Sequence, residues 1–496
     1  MRTSRLLAVL VLAFLAAGLY AQQAQPPQPP EDPTQAMDKK ILAEVAERSE
    51  HMKSLQHLTD MIGPRLTGTE KLKQANDWTA ERFKDYGLAN VRLEAWTIPH
   101  SWHRGTAAGR ILKPATHPLT LASAGWSPNT NGPMRGPVVY VKAEKVEELE
   151  PYRGKLRGAI VITTEYKPPA PGIPPAKPER QRPTIVPPER DFQAIQKFRQ
   201  QMEEFFKVEG VIAVLRNSNK EHGLLDMSAS GRDYQIGLLP TAFVTREGYG
   251  LIWRLLESKQ PMEVEIEIRD NVFSKDPVTV YNTVAEIPGA EKPDEFVLLG
   301  AHLDSWDLGT GATDDGTGVA AVLEAARALN ALAIHPRRTI RFVLFSGEEQ
   351  GLHGSKAYVK AHEAELPKIS AVVVHDTGTG RVRSLNLQGN YQLREIMDKV
   401  VAPLRSIGFE ELSLRSVGGS DHTSFNTAGV PGFFCDQDGA EYNKTHHSQS
   451  DTFDKVWKDD LMEGAQVLGV VVYNIAQLPE LLPRKTPPPE AQPARR

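Results

Sequence analysis

Three things are scarce in this 496-residue chain: cysteine, an excess of basic charge and long apolar runs. The single cysteine, Cys435, excludes an intrachain disulfide and any zinc site built on several thiolates. Lysine and arginine number 58 against 62 aspartates and glutamates, a net charge of −4, so bulk charge does not favour nucleic-acid binding. Any metal site must therefore use histidine and carboxylate ligands.

The N-terminus carries the longest uncharged apolar run. Arg2 and Arg5 precede the run Leu6 to Leu19, and the small residue Ala21 follows it. This pattern predicts a signal peptide over residues 1–21, and 14 residues are too few to span a bilayer as a helix. We therefore expect an exported protein, periplasmic or secreted, with no membrane span after cleavage and a flexible leader over residues 22–33.

The pattern of apolar residues then divides the chain into regions. Helical spacing predicts helices from Ala36 to Met61 and from Thr69 to Tyr86, within residues 34–108, which we expect to be the N-terminal part of the main domain. Residues 109–272 hold short β-like runs and predict an inserted β-rich domain. Its loop at 168–188 has nine prolines in 21 positions, which excludes regular structure there.

Strands alternate with helices over residues 273–480. The apolar runs predict strands at 296–300, 339–345, 369–374 and 432–435, and helices at 319–332, 391–407 and 461–478. This order predicts an α/β fold with a mostly parallel central sheet flanked by helices. Residues 481–496 form a Pro/Arg-rich tail, and we expect the chain to be frayed from Pro479 onwards.

Acidic residues and histidines follow the predicted strands. They occur in His302-Leu-Asp304, Asp314-Asp315, Glu348-Glu349, His375-Asp376 and the loop that reaches His446-His447. Because ligands bind at the carboxyl ends of parallel strands, these side chains should meet at one edge of the sheet. So many carboxylates need a cation, and two histidines with three carboxylates, one shared, would hold two first-row ions. The glycine-rich stretch at 309–318 lacks the lysine of a P-loop.

Taken together, these motifs resemble the M28 family of dinuclear zinc exopeptidases, over about residues 62–88 and 282–478. Order and spacing both match, through Asp314-Asp-Gly-Thr-Gly, Glu348-Glu-Gln-Gly, Ser420-Asp-His and His447-Ser-Gln-Ser-Asp451-Thr. The stretch 301–318 is most similar to the carboxypeptidase Q (plasma glutamate carboxypeptidase-like) branch. The inserted domain is similar to a protease-associated domain, apart from its proline-rich loop.

The resemblance implies a role for each matching residue, with two Zn²⁺ ions as cofactors, although other first-row divalent metals stay open. One ion would be bound by His302 and Asp376, the other by Glu349 and His447. Asp314 would bridge both ions, and Glu348 would be the general base. Asp304 would orient His302 from behind, and Asp315 would shape the turn after Asp314.

The family spacing favours His447 over His446 as the ligand, which leaves His446 to face the substrate. His446 or Tyr442 would then stabilise the oxyanion that forms during hydrolysis. Asp436 could meet a free α-amino group, as could Asp438. The expected function is hydrolysis of terminal bonds of peptides or dipeptides, by an aminopeptidase or dipeptidase. The alternatives are carboxypeptidase specificity, a glutaminyl-cyclase-like transferase, a metal-free receptor and a hydrolase of non-peptide amides. The resemblance also suggests a homodimer.

Overall fold

The structure, a computed structural model, describes residues 33–168, 192–231, 233–439 and 442–485. The predicted signal peptide and most of the proline-rich loop lie outside these residues. The α-helices are α1 Pro33–Arg48, α2 His51–Gln56, α3 Glu70–Asp85, α4 Phe192–Glu209, α5 Arg246–Glu257, α6 Thr317–Ala331, α7 His353–Ala361, α8 Arg394–Val401, α9 His422–Thr427, α10 Tyr442–Thr445 and α11 Lys458–Gln477. Within the described residues, no helix is both long and apolar enough to cross a bilayer.

The strands form two large sheets and a small two-stranded one. In chain order they are β1 Ala89–Ile98, β2 Trp102–His103, β3 Thr106–Lys113, β4 His117–Leu119, β5 Leu121–Ser123, β6 Met134–Tyr140, β7 Ile160–Ile162, β8 Ala213–Asn217, β9 Thr241–Val244, β10 Glu263–Arg269, β11 Val272–Phe273, β12 Val278–Ile287, β13 Lys292–His302, β14 Arg338–Phe345, β15 Ile369–Val374, β16 Val382–Asn386, β17 Glu411–Ser413 and β18 Gly432–Gln437.

The first sheet has the order β1-β12-β14-β13-β15-β18-β16-β17. Its four central strands, β14, β13, β15 and β18, are parallel, and every residue of β14 and β15 is buried. Burial on both faces explains their continuous apolar runs. Helices α6 and α11 pack on one face, with α1 packed against both of them, and α7 and α9 pack on the other face. The predicted α/β fold is thus confirmed, with antiparallel strands added at its edges.

The second sheet, β4-β3-β10-β6-β7-β8-β9-β5, comes entirely from the chain between β1 and β12. Those two strands pair directly, with Ile98 opposite Val278, so the segment between them is inserted into a hairpin-like pair of the first sheet. The predicted β-like runs are the strands β6 to β10. The domain limits stay a prediction, and β3 crosses the one placed at 108/109.

Two local expectations were wrong. The helix predicted from Ala36 to Met61 breaks after Arg48, and its last turn, His57–Ile62, is a π-helix. The chain just beyond Pro479 is not frayed, because Leu482 is buried and its N–H donates to Ser370 Oγ at 3.0 Å. Arg484 also donates to the carbonyl of Ile369 at 2.7 Å. A buried leucine and a paired guanidinium hold this segment where composition alone suggested solvent.

Candidate metal centre

The first group of ligand-type side chains lies at the ends of the central strands. His302 is the last residue of β13 and Asp376 follows β15, while Asp314 lies in the turn Ala312–Gly316 that precedes α6. His302 Nε2 is 3.3 Å from Asp314 Oδ1 and 3.4 Å from Asp376 Oδ1. All three side chains are buried. The structure thus brings these three side chains together, as expected for residues at a common edge of parallel strands, and their roles as ligands stay a prediction.

The second group comes from two loops. Glu349 lies after β14 and His447 follows α10. His447 Nε2 is 2.9 Å from Glu349 Oε2 and 3.5 Å from Asp314 Oδ2. Glu349 Oε1 accepts the backbone N–H of Trp306 at 3.1 Å, which leaves Oε2 directed at the histidine. Asp314 therefore belongs to both groups, with one oxygen for each histidine.

Three atoms of these groups suggest a cation. His302 Nε2, Asp314 Oδ2 and Glu349 Oε2 are buried and have no hydrogen-bond partner among the residues that the structure describes. A tetrahedral ion with bonds of 2.0–2.1 Å separates its ligand atoms by about 3.3 Å. The four histidine–carboxylate distances run from 2.9 to 3.5 Å, so the donor set fits two first-row ions.

The pKa shifts of these buried groups also indicate a place for a cation. Burial raises the pKa of the Glu348 and Glu349 carboxyls well above the usual range. Burial would lower the pKa of His302, but the carboxylates of Asp376 and Asp314 outweigh it and raise that pKa. Burial would raise the pKa of Asp314, but His302, His446 and His447 outweigh it and lower that pKa. Carboxylates confined with imidazoles in one buried space are what a metal ion neutralises.

Asp304 supports the centre by a route that the sequence did not predict. Its carboxylate is 3.8 Å from His302 Nδ1, and it is the backbone carbonyl of Asp304 that pairs with that nitrogen at 2.9 Å. The carboxylate instead accepts the N–H groups of Glu348 at 3.2 Å and Glu349 at 3.4 Å, and the Thr67 hydroxyl at 2.8 Å. Asp304 thus orients His302 through its backbone and the Glu348-Glu349 turn through its side chain.

Asp315 is fully buried behind Asp314, to which it is joined by a cis peptide bond. Its Oδ1 accepts the Gly318 N–H at 2.9 Å and its Oδ2 accepts the His302 N–H at 3.3 Å. Burial raises its pKa. These contacts agree with the predicted role in the turn, since they tie the start of α6 to the end of β13.

His446 and Tyr442 lie beside the second group. The His446 ring stacks on His447 with 3.7 Å between ring centroids, and its Nε2 is 3.9 Å from Asp314 Oδ2. Burial lowers the pKa of His446 to about 4, so this imidazole is neutral at pH 7. Burial and the nearby charge of Asp314 raise the pKa of Tyr442 well above its usual range, so this phenol keeps its proton.

Asp436 is not brought into this cluster. It lies on β18, where its carboxylate accepts from Arg415 at 3.1 Å and from the Ser384 hydroxyl at 3.2 Å. Asp438 is likewise paired, with Arg383 at 2.9 Å. A carboxylate that already balances an arginine is poorly suited to bind an α-amino group, so the structure does not support this part of the prediction.

Two residues have supporting roles that the sequence did not predict. Arg65 is fully buried and donates to the carbonyls of Leu303, Thr310 and Gly311 at 2.7–2.8 Å, which ties together the loops that carry His302 and Asp314. Asp451 accepts the Thr313 N–H at 2.6 Å and the Asp314 N–H at 3.2 Å. The spacing after His447 marked Asp451, whereas an arginine after a Gly-Pro break carried no signal.

The inserted segment also reaches the centre. Asp226 lies close enough to His446 and His447 to form a third group of ligand-type atoms. Lys220 lies 3.9 Å from Asp226 and donates to the Asn443 carbonyl at 2.8 Å. Nothing in the local sequence of 218–230 pointed to His446 and His447, which lie 220 and 221 residues after Asp226 in the chain.

Comparisons with known proteins match this geometry. Residues 282–472 match the description Peptidase family M28. Carboxypeptidase Q of Bos taurus is 31% identical over 431 residues, which cover 86% of this chain and 85% of that protein. The crystal structure of a peptidase M28 precursor from Shewanella amazonensis SB2B is 27% identical with a TM-score of 0.76, covering 92% of this chain and 99% of that one. The zinc aminopeptidase BSAP from Bacillus subtilis has a TM-score of 0.61 at 21% identity, covering 85% and 93% of the two chains, which shows the shared fold. The chain therefore belongs to peptidase family M28 and is a metallopeptidase.

Proposed function

We propose that this chain is an exported dinuclear zinc exopeptidase that removes a terminal residue from short peptides, as an aminopeptidase or dipeptidase. The observation that carries the proposal is the position of Asp314, whose two oxygens face two different histidines at 3.3 and 3.5 Å. A shared carboxylate between two donor sets is the arrangement needed for two-metal hydrolysis. Zinc is the metal named for the aminopeptidase neighbour BSAP.

Bound zinc ions would polarise the scissile carbonyl and lower the pKa of an attacking water. Glu348 Oε would take the proton from that water and return it to the leaving amine. Its backbone is held by Asp304, which fixes the direction of the turn that carries both glutamates. The neutral His446 and the protonated Tyr442 would donate hydrogen bonds to the developing oxyanion.

Carboxypeptidase-type specificity on the same site is the second candidate. The relatives at 31% identity are named carboxypeptidase Q, and the structure pairs Asp436, a candidate for the α-amino group, with Arg415. Export is inferred from residues 1–21 alone. Homodimerisation remains a prediction, which light scattering on the purified protein would test.

The test combines metal analysis with a blocked-substrate series. We expect two zinc ions per chain and chelator-sensitive cleavage of unblocked dipeptides. Loss of cleavage on N-blocking alone would indicate an aminopeptidase, on C-blocking alone a carboxypeptidase, and on either a dipeptidase. Pyroglutamate formation without peptide cleavage would favour the cyclase-like alternative.

Glu348→Gln tests the proton transfer itself. The amide cannot accept a proton, so kcat should fall by about 10²–10⁴-fold while both ions stay bound. Full activity of this variant with its metals in place would contradict the proposed mechanism.

A further inference from the structure

One loop of the inserted segment is bonded directly to the segment that carries His447. It lies between β8 and β9 of the second sheet, and residues 220–227 are called the 220–227 loop below. The Met227 N–H donates to the backbone carbonyl of His447 itself at 3.0 Å. Lys220 Nζ donates to the Asn443 carbonyl at 2.8 Å, one turn earlier in the same segment.

Gln449 makes two further side-chain hydrogen bonds between the two segments. Its Oε1 accepts the Leu225 N–H at 2.9 Å and its Nε2 donates to the Gly223 carbonyl at 3.1 Å. The single amide of Gln449 thus pairs with two backbone groups of the 220–227 loop. Gln449 lies two positions after His447 in the sequence. Neither backbone group belongs to a strand ladder, so the amide supplies what regular structure does not.

The loop is itself anchored in the main core. Leu225 and Met227 are 6% and 1% exposed and belong to the hydrophobic cluster that packs on the first sheet. The loop is therefore a fixed support, although both ends of it return to strands of the second sheet.

His447 needs such a support because of its backbone. Its φ is +55°, in the left-handed region that residues with a side chain rarely adopt. Such a conformation persists where the surroundings determine it from several sides. Here the peptide carbonyl that follows this strained φ is the group that Met227 binds.

We propose that the 220–227 loop of the inserted segment holds His447 in its ligating position, and that Gln449 is the positioning residue of that contact. The inference rests on the dinuclear centre proposed above. It means that a loop of the inserted segment supports the metal centre, and that the ion bound by Glu349 and His447 depends on this segment. The ion bound by His302 and Asp376 does not.

The experiment compares Gln449→Met with a matched control. Methionine keeps the length of the side chain and removes both hydrogen bonds. The control is Asn129→Leu, since Asn129 also binds one residue, Asn271, through both ends of its amide at 2.9 Å, within the inserted segment. Zinc or cobalt is titrated into the metal-free proteins and followed by calorimetry and by the visible spectrum of cobalt.

In Gln449→Met we expect one ion bound as in the wild type and one bound about 10–100-fold more weakly, the effect typical of partners behind a metal ligand. At limiting zinc kcat should fall while KM stays within about twofold, and excess zinc should restore kcat. A merely structural loss would not be restored by zinc. Asn129→Leu should bind both ions as the wild type does. If Gln449→Met does not fold, Gln449→Glu, which keeps the acceptor for Leu225, should give an intermediate affinity for the second ion.

Equal affinity for both ions in Gln449→Met and the wild type would overturn the inference and leave the dinuclear centre intact. Equal weakening of both ions would overturn it too, since the effect would not be confined to the His447 side. A wild type that binds fewer than two ions would instead contradict the proposed function.

Discussion

The two halves of the metal centre are built differently. His302 and Asp376 come directly from the ends of neighbouring parallel strands, and the His302 side chain is 1% exposed. Glu349 and His447 come from loops, and the His447 side chain is 23% exposed and has a positive φ. The strand-built half is therefore positioned by the sheet ladder, whereas the loop-built half is positioned by separate hydrogen bonds from Asp304, Trp306 and the 220–227 loop.

One side of this centre is thus held by strands of a sheet, and the other by a few hydrogen bonds to segments distant in sequence. Strand ends are placed by many ladder bonds at once, so the loss of a single contact changes them little. A loop held by a few bonds loses its position when one of them is removed.

The largest effect is expected where the halves meet. Asp314→Ala removes an oxygen from each group, so both ions should bind more than about 100-fold more weakly, beyond the effect of an outer partner. Elemental analysis after dialysis, together with peptide hydrolysis, would measure this. Retention of one full ion by the variant would show that Asp314 serves a single half.

The second prediction separates the halves by their histidines. His447→Ala should keep one ion on the strand-built half that leaves slowly under a chelator. His302→Ala should keep one ion on the loop-built half that leaves about tenfold faster, because its ligands are less constrained. The time course of metal release measures both rates. Indistinguishable rates would contradict the proposed asymmetry.

Asp304→Asn should act on the loop-built half. The single oxygen of the amide can replace only one of the two carboxylate oxygens that accept the glutamate N–H groups. The affinity for the ion bound by Glu349 should therefore fall about tenfold. The ion of His302 should bind as before, because the carbonyl that holds His302 is unchanged. Metal titration of this variant checks the route by which Asp304 acts. Weakening at His302 instead would restore the expectation drawn from the sequence.

The smallest effect concerns the packing behind the strand-built half. Burial lowers the pKa of His422 to about 4, against about 6.5 in an unfolded chain. The folded state thus disfavours the proton, so this stability is fully present above pH 6.5 and is lost as the pH falls towards 4. Between pH 7 and 5 the metal-free protein should lose about 1–2 kcal/mol through this residue. In denaturant unfolding, the free energy of unfolding of His422→Gln should fall less between pH 7 and 5 than that of the wild type, by this amount. An equal fall in both proteins would contradict the prediction.

Much of the centre could be predicted because its ligands follow apolar runs that can only be buried strands. His302, Glu349 and Asp376 each follow such a run, and Asp314 precedes a helix with an apolar face. His447 was chosen over His446 by spacing, and its distances to Glu349 and Asp314 agree with that choice. The pairing of Asp436 with Arg415 could not be foreseen, because the two residues meet only when β18 lies beside the turn after β17.

The sequence by itself determined the α/β fold and the candidate ligands at the strand ends, since periodicity and apolar runs are local properties that burial converts directly into strands and helices. It also limited the ligands available to a metal, because a single cysteine leaves histidine and carboxylate side chains. The tertiary structure alone decided which groups support those ligands. These supports are Arg65, the carboxylate of Asp304 and the 220–227 loop, and each forms hydrogen bonds to backbone groups. Every residue type except proline offers the same backbone N–H and C=O, so the sequence does not show which of them will be bound. Only the folded positions of the segments decide it.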